Sequence, residues 1–280
     1  DAYNSLECKS FNIHYKLDEK ELFLENSKFY LFLKTNYSEE YTNKTLAFSE
    51  KVTQDSIEKA FQKDGFWVII NKEDNKVLLY RDVSGLCSGY YYIGENELCI
   101  STKVHDLAKG KAKKLNDEVV HQLLYFDFLW DGQTIYENIA QLKLGGKLVL
   151  NNDFIEKEYA FSQPNITENE NQLTDQENIK LLRKEIVEAH KPYLNEQNIV
   201  FLSGGIDSVA MLIALNDLTP KEKILSHSFR VKGTTQDETS YAKSIADHLD
   251  NELIIVERDF SNEINEAIFK EEIVKMNNPY

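Results

Sequence analysis

Residues 198–215 read NIVFLSGGIDSVAMLIAL. An apolar run ending at Leu202 breaks into Ser-Gly-Gly-Ile-Asp-Ser, and a second apolar run, SVAMLIAL, follows. The first run has the unbroken apolar character of a strand covered on both faces, and the second reads as a helix. A buried strand that enters a helix through two glycines predicts a loop beyond the carboxyl end of a parallel strand. Open α/β sheets bind their ligands at such ends.

The flanking sequence extends this pattern in both directions. Upstream, Thr174 and Glu177 form a T-x-x-E capping box, opening a helix with Ile179, Leu182, Ile186 and Ala189 on one face. Downstream, ILSHSFRV reads as a second strand. Thr235 and Glu238 make another capping box, before a helix with Tyr241, Ile245 and Leu249 at i, i+4 and i+8. ELIIVE is a third strand, and NEINEAIFKEEIVKM a further helix. Strand–helix alternation predicts βαβ crossovers and a parallel, doubly wound α/β sheet.

The first half reads differently. SKFYLFLKT is a strand; GFWVII and KVLLYRD are strands joined by NKEDN; YYYI and ELCIS flank GEN; KLVL and FIEKEYAF flank NND. Helices are expected at residues 55–63 and 116–126. Repeated hairpins with few helices predict antiparallel sheets packed face to face or against helices. Residues 162–178 are polar and nearly free of aromatics, which suggests a linker and two domains, 1–162 and 163–280.

Composition narrows the function. The 280 residues carry a formal net charge of −15, which disfavours nucleic acid as a partner. KGKAKK (109–114) is the one basic patch, and it reads as a solvated segment before a helix. No apolar run is long enough to span a membrane, and the first residues lack the character of a secretory signal. Cys8, Cys87 and Cys99 lack metal-ligand spacing, pointing to a reducing, cytoplasmic setting without a disulfide framework.

The loop residues suit a particular ligand. Without Cβ atoms at Gly204 and Gly205, the backbone can take φ > 0 and approach an anion closely. Successive N–H groups there, and the positive end of the following helix, favour phosphate. Ser203 and Ser208 add hydroxyls. Asp207 would repel that anion unless it held Mg²⁺, which bridges carboxylate and phosphate oxygens. The plainer alternative is a tight turn with Asp207 capping a helix. No Gly-Lys-Ser/Thr follows at Walker A spacing.

S-G-G-x-D-S after an apolar strand resembles the pyrophosphate loop of N-type ATP pyrophosphatases. LSHSFRVKG followed by ETSYAKSIADHL looks like the second strand and helix of the asparagine synthetase family. In the first half, Arg81, Asp82 and Gly85 match that family's R-D-x-x-G hairpin, and TIYENIAQLKLGGKLVL is similar to the closing segment of its N-terminal domain. The resemblance implies an Ntn-hydrolase-like antiparallel sandwich followed by an ATP-pyrophosphatase domain. It also implies that Ser203, Gly204, Gly205, Asp207 and Ser208 hold the pyrophosphate of ATP, with Asp207 a magnesium ligand. The backbones of Leu202 and Val231 would border the adenine; core packing is the other reading of both residues.

The chain departs from that family in two places. Glutamine-hydrolysing members begin with a nucleophilic cysteine, whereas residue 1 here is aspartate and Cys8 is internal, followed by Lys-Ser. Asp64 before Gly65 is weakly similar to a glutamine-pocket carboxylate, and a helix-end turn explains it equally well. Relatives without glutaminase, such as β-lactam synthetases and lasso-peptide cyclases, use an amine already present on the substrate. Second, the family's later S-G-x-G-x-D segment and helical lobe have no counterpart through Tyr280, so a C-terminal lobe or a partner chain is expected to complete the site. No catalytic residue is assigned. The reading is an ATP-dependent, AMP-forming amide ligase acting on a small-molecule or peptide carboxylate, in a setting such as peptide maturation, and a homodimer is compatible with it. The alternatives are a glutamine-hydrolysing asparagine synthetase whose N-terminal cysteine was lost, and a non-catalytic subunit.

Overall fold

The computed structural model describes residues 4–7, 12–18, 20–46, 49–61, 64–112, 114–130, 132–151, 156–161, 173–232, 237–258 and 270. Two compact units divide the chain. The first comprises Asp1–Asn36, Asn43–Ile166 and Lys270–Tyr280; the second comprises Thr167–Phe269 together with Tyr37–Thr42. The expected boundary at residue 162 and the expected last helix fall outside the described residues, apart from Lys270.

The first unit is largely antiparallel. A short hairpin, β1 (Asn4–Glu7) and β2 (Asn12–Tyr15), precedes β3 (Glu21–Glu25) and β4 (Phe29–Lys34). Helix α1 (Glu39–Leu46), whose residues up to Thr42 are assigned to the second unit, and α2 (Gln54–Phe61) lead to β5 (Phe66–Asn71) and β6 (Val77–Arg81). Then come β7 (Tyr90–Ile93), β8 (Leu98–Ser101), α3 (Val104–Lys111), α4 (Asp117–Phe126), β9 (Ala140–Gln141), β10 (Gly146–Leu150) and β11 (Glu156–Phe161). Six strands pair in the order β11-β10-β6-β5-β4-β3, and β8-β7-β9 form a second sheet.

Side-chain alternation sorts the core into layers. Tyr30, Val68, Ile70, Val77, Leu79, Leu148 and Leu150 lie on one face of the large sheet, and Tyr91, Leu98 and Ile100 of the small sheet pack against them. The opposite face of the small sheet, Tyr90 and Tyr92, packs on Val104 and Leu107 of α3. Leu31, Trp67 and Ile69, on the other face of the large sheet, are at most 2% exposed. Trp67 stacks on Tyr80 across β5 and β6 with ring centroids 4.8 Å apart.

The R-D-x-x-G stretch ties these layers together. Arg81 is buried and donates from Nε to the Cys87 carbonyl and from Nη1 to the Leu142 carbonyl, both at 2.9 Å. Asp82 accepts from the backbone N–H groups of Gly65, Leu86 and Cys87. Gly85 holds φ +70°, and a Cβ there would meet Leu144 at 2.5 Å. We expect Arg81→Met to destabilise the first unit by about 2–4 kcal/mol, because two buried carbonyls lose charged donors. Denaturant unfolding followed by Trp67 fluorescence would measure this.

The second unit begins with α5 (Asp175–His190), opened by the expected box: the Thr174 hydroxyl accepts from Glu177 N–H, and the Glu177 carboxylate accepts from Thr174 N–H at 2.8 Å. β12 (Asn198–Phe201), α6 (Ile206–Leu218), β13 (Ile224–Val231), α7 (Thr239–Leu249) and β14 (Leu253–Arg258) follow. The strands are parallel, in the order β12-β13-β14. Val200, Leu202, Leu212, Leu215, Ile224, Ala242 and Ala246 form one buried cluster, so α6 and α7 cover the same face of the sheet.

Three expectations need correction here. β12 is covered on one face among the described residues: Val200 and Leu202 are buried, whereas Ile199 and Phe201 are 58% and 61% exposed. Phe201 and Phe229 stack on the open face, 5.7 Å apart. The face expected for α5 is not a core face, since Ile179 and Leu182 are both exposed. Finally, α7 turns Ala242, Ile245, Ala246 and Leu249 to the sheet, not Tyr241, which is 69% exposed. Alanines at i and i+4 let that helix lie close to the strands.

Candidate functional site

Leu202 extends the β12 ladder by one bond, donating its N–H to the His227 carbonyl at 2.7 Å. Its side chain is buried in the cluster with α6 and α7, which leaves only its backbone to border a ligand. Ser203, Gly204 and Gly205 then turn the chain into α6.

The two glycines play different parts. Gly204 sits at φ +91°, and a Cβ there would lie 2.7 Å from Tyr241 Cβ and 3.3 Å from Ala242 N. Both the backbone angle and the contact with α7 require glycine. Gly205 takes φ −73° and ψ 153°, ordinary extended values open to any residue. Among the described residues, a Cβ there would meet only Ser203 Oγ, at 3.4 Å. Neither conformation nor packing calls for glycine at 205, and the residue is exposed.

The serines brace the turn. Ser208, 7% exposed, donates to the Gly205 carbonyl at 2.9 Å and accepts from Ser203 N–H at 3.3 Å. Gly205 N–H donates to Ser203 Oγ at 3.3 Å. The Ser208 hydroxyl is therefore spent on the loop in this conformation, and Ser203 is the exposed one. The first α-helical bond of α6 runs from Val209 N–H to the Gly205 carbonyl, and among the described residues no side chain caps the helix. The amides of its first turn thus lack intrahelical acceptors, and the helix dipole makes this end attractive to an anion. Asp207 lies in that first turn and is exposed. A carboxylate beside an anion-favouring helix end is the kind of group that would hold a divalent cation, which would offset the charge of a bound anion.

Val231 is the last residue of β13, paired in register with Arg258. It lies three residues beyond Ser228, the neighbour of Leu202, or roughly 10 Å further along the strand. It is half-buried.

Two features of this end escaped the sequence reading. Arg230, beside Val231, directs Nε and Nη2 to one oxygen of Asp237 at 2.9 and 2.6 Å. The other Asp237 oxygen accepts from the N–H and hydroxyl of Thr239, at 3.0 and 2.5 Å. Hydrogen bonds from Thr239, then Arg230, hold the Asp237 carboxyl down to about 2, so it stays ionised at neutral pH. Glu238, expected inside a capping box, instead precedes α7 without capping it, and Thr235 lies outside the described residues. An acidic residue two before a helical threonine was the available signal.

In the first unit, Asp64, Asp82 and Cys87 are all buried, with ligand atoms within 4.8 Å of one another. The Cys87 thiol donates to Asp64 Oδ1 at 3.3 Å, and Asn36 N–H donates to the same oxygen. Full burial takes Asp64 out of any open glutamine pocket in this conformation. Burial foremost, and then the Asp64 carboxylate, push the Cys87 thiol far above its ordinary range. We expect Cys87 to resist a disulfide reagent in the native protein at pH 8 and to react on unfolding, as followed by peptide mapping. Cys99 is also a free thiol, raised by burial, and Cys8 lies outside the described residues. Lys111 and Lys114 of the basic patch pair with Glu97 and Glu137 at 2.6 and 2.8 Å. Among the described residues, no helix is long and apolar enough to cross a membrane.

Comparison with known proteins bears on the segment that holds the loop. Residues 195–277 match the family model described as asparagine synthase, which bears out the resemblance over the segment that holds the loop. No curated protein matches the chain. Among solved structures, the chain is similar to a glutamine-dependent NAD+ synthetase from Acinetobacter baumannii in complex with ADP, at 16% identity and a TM-score of 0.27, over 59% of this chain and 35% of that one. It is also similar to a glutamine phosphoribosylpyrophosphate amidotransferase from B. subtilis complexed with ADP and GMP, at 11% identity and a TM-score of 0.29, over 90% of this chain and 52% of that one. The chain thus spans about a third to a half of the length of these proteins.

Proposed function

We propose that the second unit binds Mg·ATP at the Ser203–Ser208 loop and serves an AMP-forming amide ligase of the asparagine synthetase type. The observation that carries this reading is Gly205. Among the described residues, it is a glycine that neither conformation nor packing requires, exposed, at a helix start without a side-chain cap, next to a glycine that the fold does require. A residue there without a side chain makes sense if something outside the chain must reach the backbone. The asparagine synthase match over residues 195–277 supports the same assignment.

In this reading the amides of the loop and of the first α6 turn hold the pyrophosphate portion of ATP. The backbones of Leu202 and Val231 border the adenine. Asp207 holds Mg²⁺, which supplies charge neutralisation for pyrophosphate as a leaving group. ATP activates a substrate carboxylate as its adenylate, pyrophosphate departs, and an amine then displaces AMP. The loop amides and the α6 dipole stabilise the negative charge that develops on the leaving pyrophosphate. The first unit, with its two packed antiparallel sheets, fits an Ntn-like domain. The substrate is a small-molecule or peptide carboxylate, and a further lobe or a partner chain completes the site.

Gly205→Ala tests the reading in isolation. Stability should change by less than about 1 kcal/mol, since the backbone angles suit alanine, while the Kd for Mg·ATP should rise roughly ten-fold or more as the new methyl obstructs the approach. Calorimetric titration and thermal unfolding of the same sample check both. Unchanged affinity would remove the loop from nucleotide binding.

A further inference from the structure

We infer that Arg230 and Asp237 are positioning residues for the loop: they fix the first turn of α7, against which Gly204 is seated. The inference deepens the nucleotide-site reading given above and rests on it for its functional meaning. Its physical part, coupling between the ion pair and the loop, stands separately.

The chain of contacts is continuous. The Gly204 backbone lies so close to α7 that a single added methyl would meet Tyr241 Cβ at 2.7 Å and Ala242 N at 3.3 Å. The loop therefore takes its shape partly from where that turn sits. The turn, in turn, has no cap from Glu238, the residue directly before it. Its first N–H, on Thr239, is held by the Asp237 carboxylate at 3.0 Å, and the Thr239 hydroxyl is held by the same oxygen. Asp237 is anchored by two nitrogens of Arg230 at 2.9 and 2.6 Å, and Arg230 Nη2 also reaches Thr239 Oγ1 at 3.4 Å. Arg230 belongs to β13, the strand hydrogen-bonded to β12, and Phe201 at the end of β12 is level with His227. So the end of β13 fixes the start of α7, and the start of α7 backs the loop that leaves β12.

Energetics favour a local role. The Arg230 and Asp237 side chains are 44% and 33% exposed, and such pairs add little to global stability. What they supply is geometry: a two-nitrogen grip on one carboxylate oxygen that a point charge does not reproduce. Glu257 approaches the same guanidinium at 3.9 Å and adds a second, looser contact. Together these contacts set the helix start without contributing to the buried cluster of the unit.

The test is hydrogen exchange at the amides of residues 202–208 in the ligand-free full chain, for wild type, Arg230→Met, Asp237→Ala and Arg230→Lys. Loss of one helix-start hydrogen bond and its anchor should raise loop exchange roughly ten-fold in the first two variants. The global unfolding midpoint should stay the same. Arg230→Lys should recover part of the protection. The Kd for Mg·ATP should rise about ten-fold in step with loop exchange. Unchanged loop exchange in Arg230→Met and Asp237→Ala, or an increase spread evenly over the whole unit, would overturn the inference. If either variant fails to fold, Asp237→Asn replaces it, keeping an acceptor for Thr239 without the charge; wild-type loop exchange in that protein would also overturn it. Faster loop exchange in a chain whose wild type binds no Mg·ATP would uphold the coupling and sink the nucleotide reading.

Discussion

Asp207→Asn is expected to reverse the effect of magnesium on nucleotide binding. With Mg²⁺ present, the variant should bind ATP at least ten- to a hundred-fold more weakly than wild type, because the amide is a poor ligand for a hard cation. Without Mg²⁺ the order should invert. A carboxylate in the first turn of α6 stands close to where the phosphates would lie. An exposed like-charge contact at about 4 Å costs about 1 kcal/mol in water, so removing it should tighten metal-free binding by roughly five-fold. The fold should survive, since Asp207 is exposed and its interaction with the helix dipole accounts for less than about 1 kcal/mol. Titrations with and without EDTA, at fixed ionic strength, check the crossing. A variant weaker under both conditions would make Asp207 a structural residue.

Gly204→Ala should have the largest effect on the loop itself. An alanine at φ +91° is strained by about 1–2 kcal/mol, and its methyl would meet Tyr241 Cβ at 2.7 Å and the Ala242 backbone N at 3.3 Å, atoms fixed to α7 that cannot yield as the far end of a flexible side chain can. Helix and loop must separate, and we expect a loss of about 2–4 kcal/mol in the stability of the second unit. Nucleotide binding should disappear with it. The comparison with Gly205→Ala is informative: adjacent glycines, the same substitution, one failing through the fold and the other through the ligand. Denaturant unfolding alongside binding separates the two. Equal stability losses at both positions would mean that Gly205 is held by packing too.

Much of the architecture was legible from local pattern. NKEDN and GEN stand between apolar runs that became paired strands, and Thr174 with Glu177 opened α5 as read. What stayed hidden depends on neighbours distant in sequence. NIVFL is apolar at every other position on both faces, and such a run looks alike whether one face or both are covered; Ile199 and Phe201 proved open. Tyr241 has the right spacing and size for a core position, but two alanines one residue further on brought α7 close to the sheet and moved the tyrosine to the loop. Alanine carries so little apolar signal that this face was invisible to periodicity. The Arg230–Asp237 pair joins the end of β13 to the residues just before α7 and has no period at all.

For the candidate site, the residue types were legible and the division of labour was not. Two glycines looked equivalent as letters, and their φ angles of +91° and −73° separate them. Ser203 and Ser208 likewise read as a matched pair of phosphate donors. In the structure Ser208 is buried and turned to the Gly205 carbonyl, a difference set by α6 packing on β12.

The most direct measurement is amide resonance mapping of the full chain during titration with Mg·ATP. The amides of Ser203 to Ser208 should shift progressively and saturate together, with EDTA reversing the change. A saturating response elsewhere in the chain, with these six amides unmoved, would contradict a nucleotide cradle at this bend.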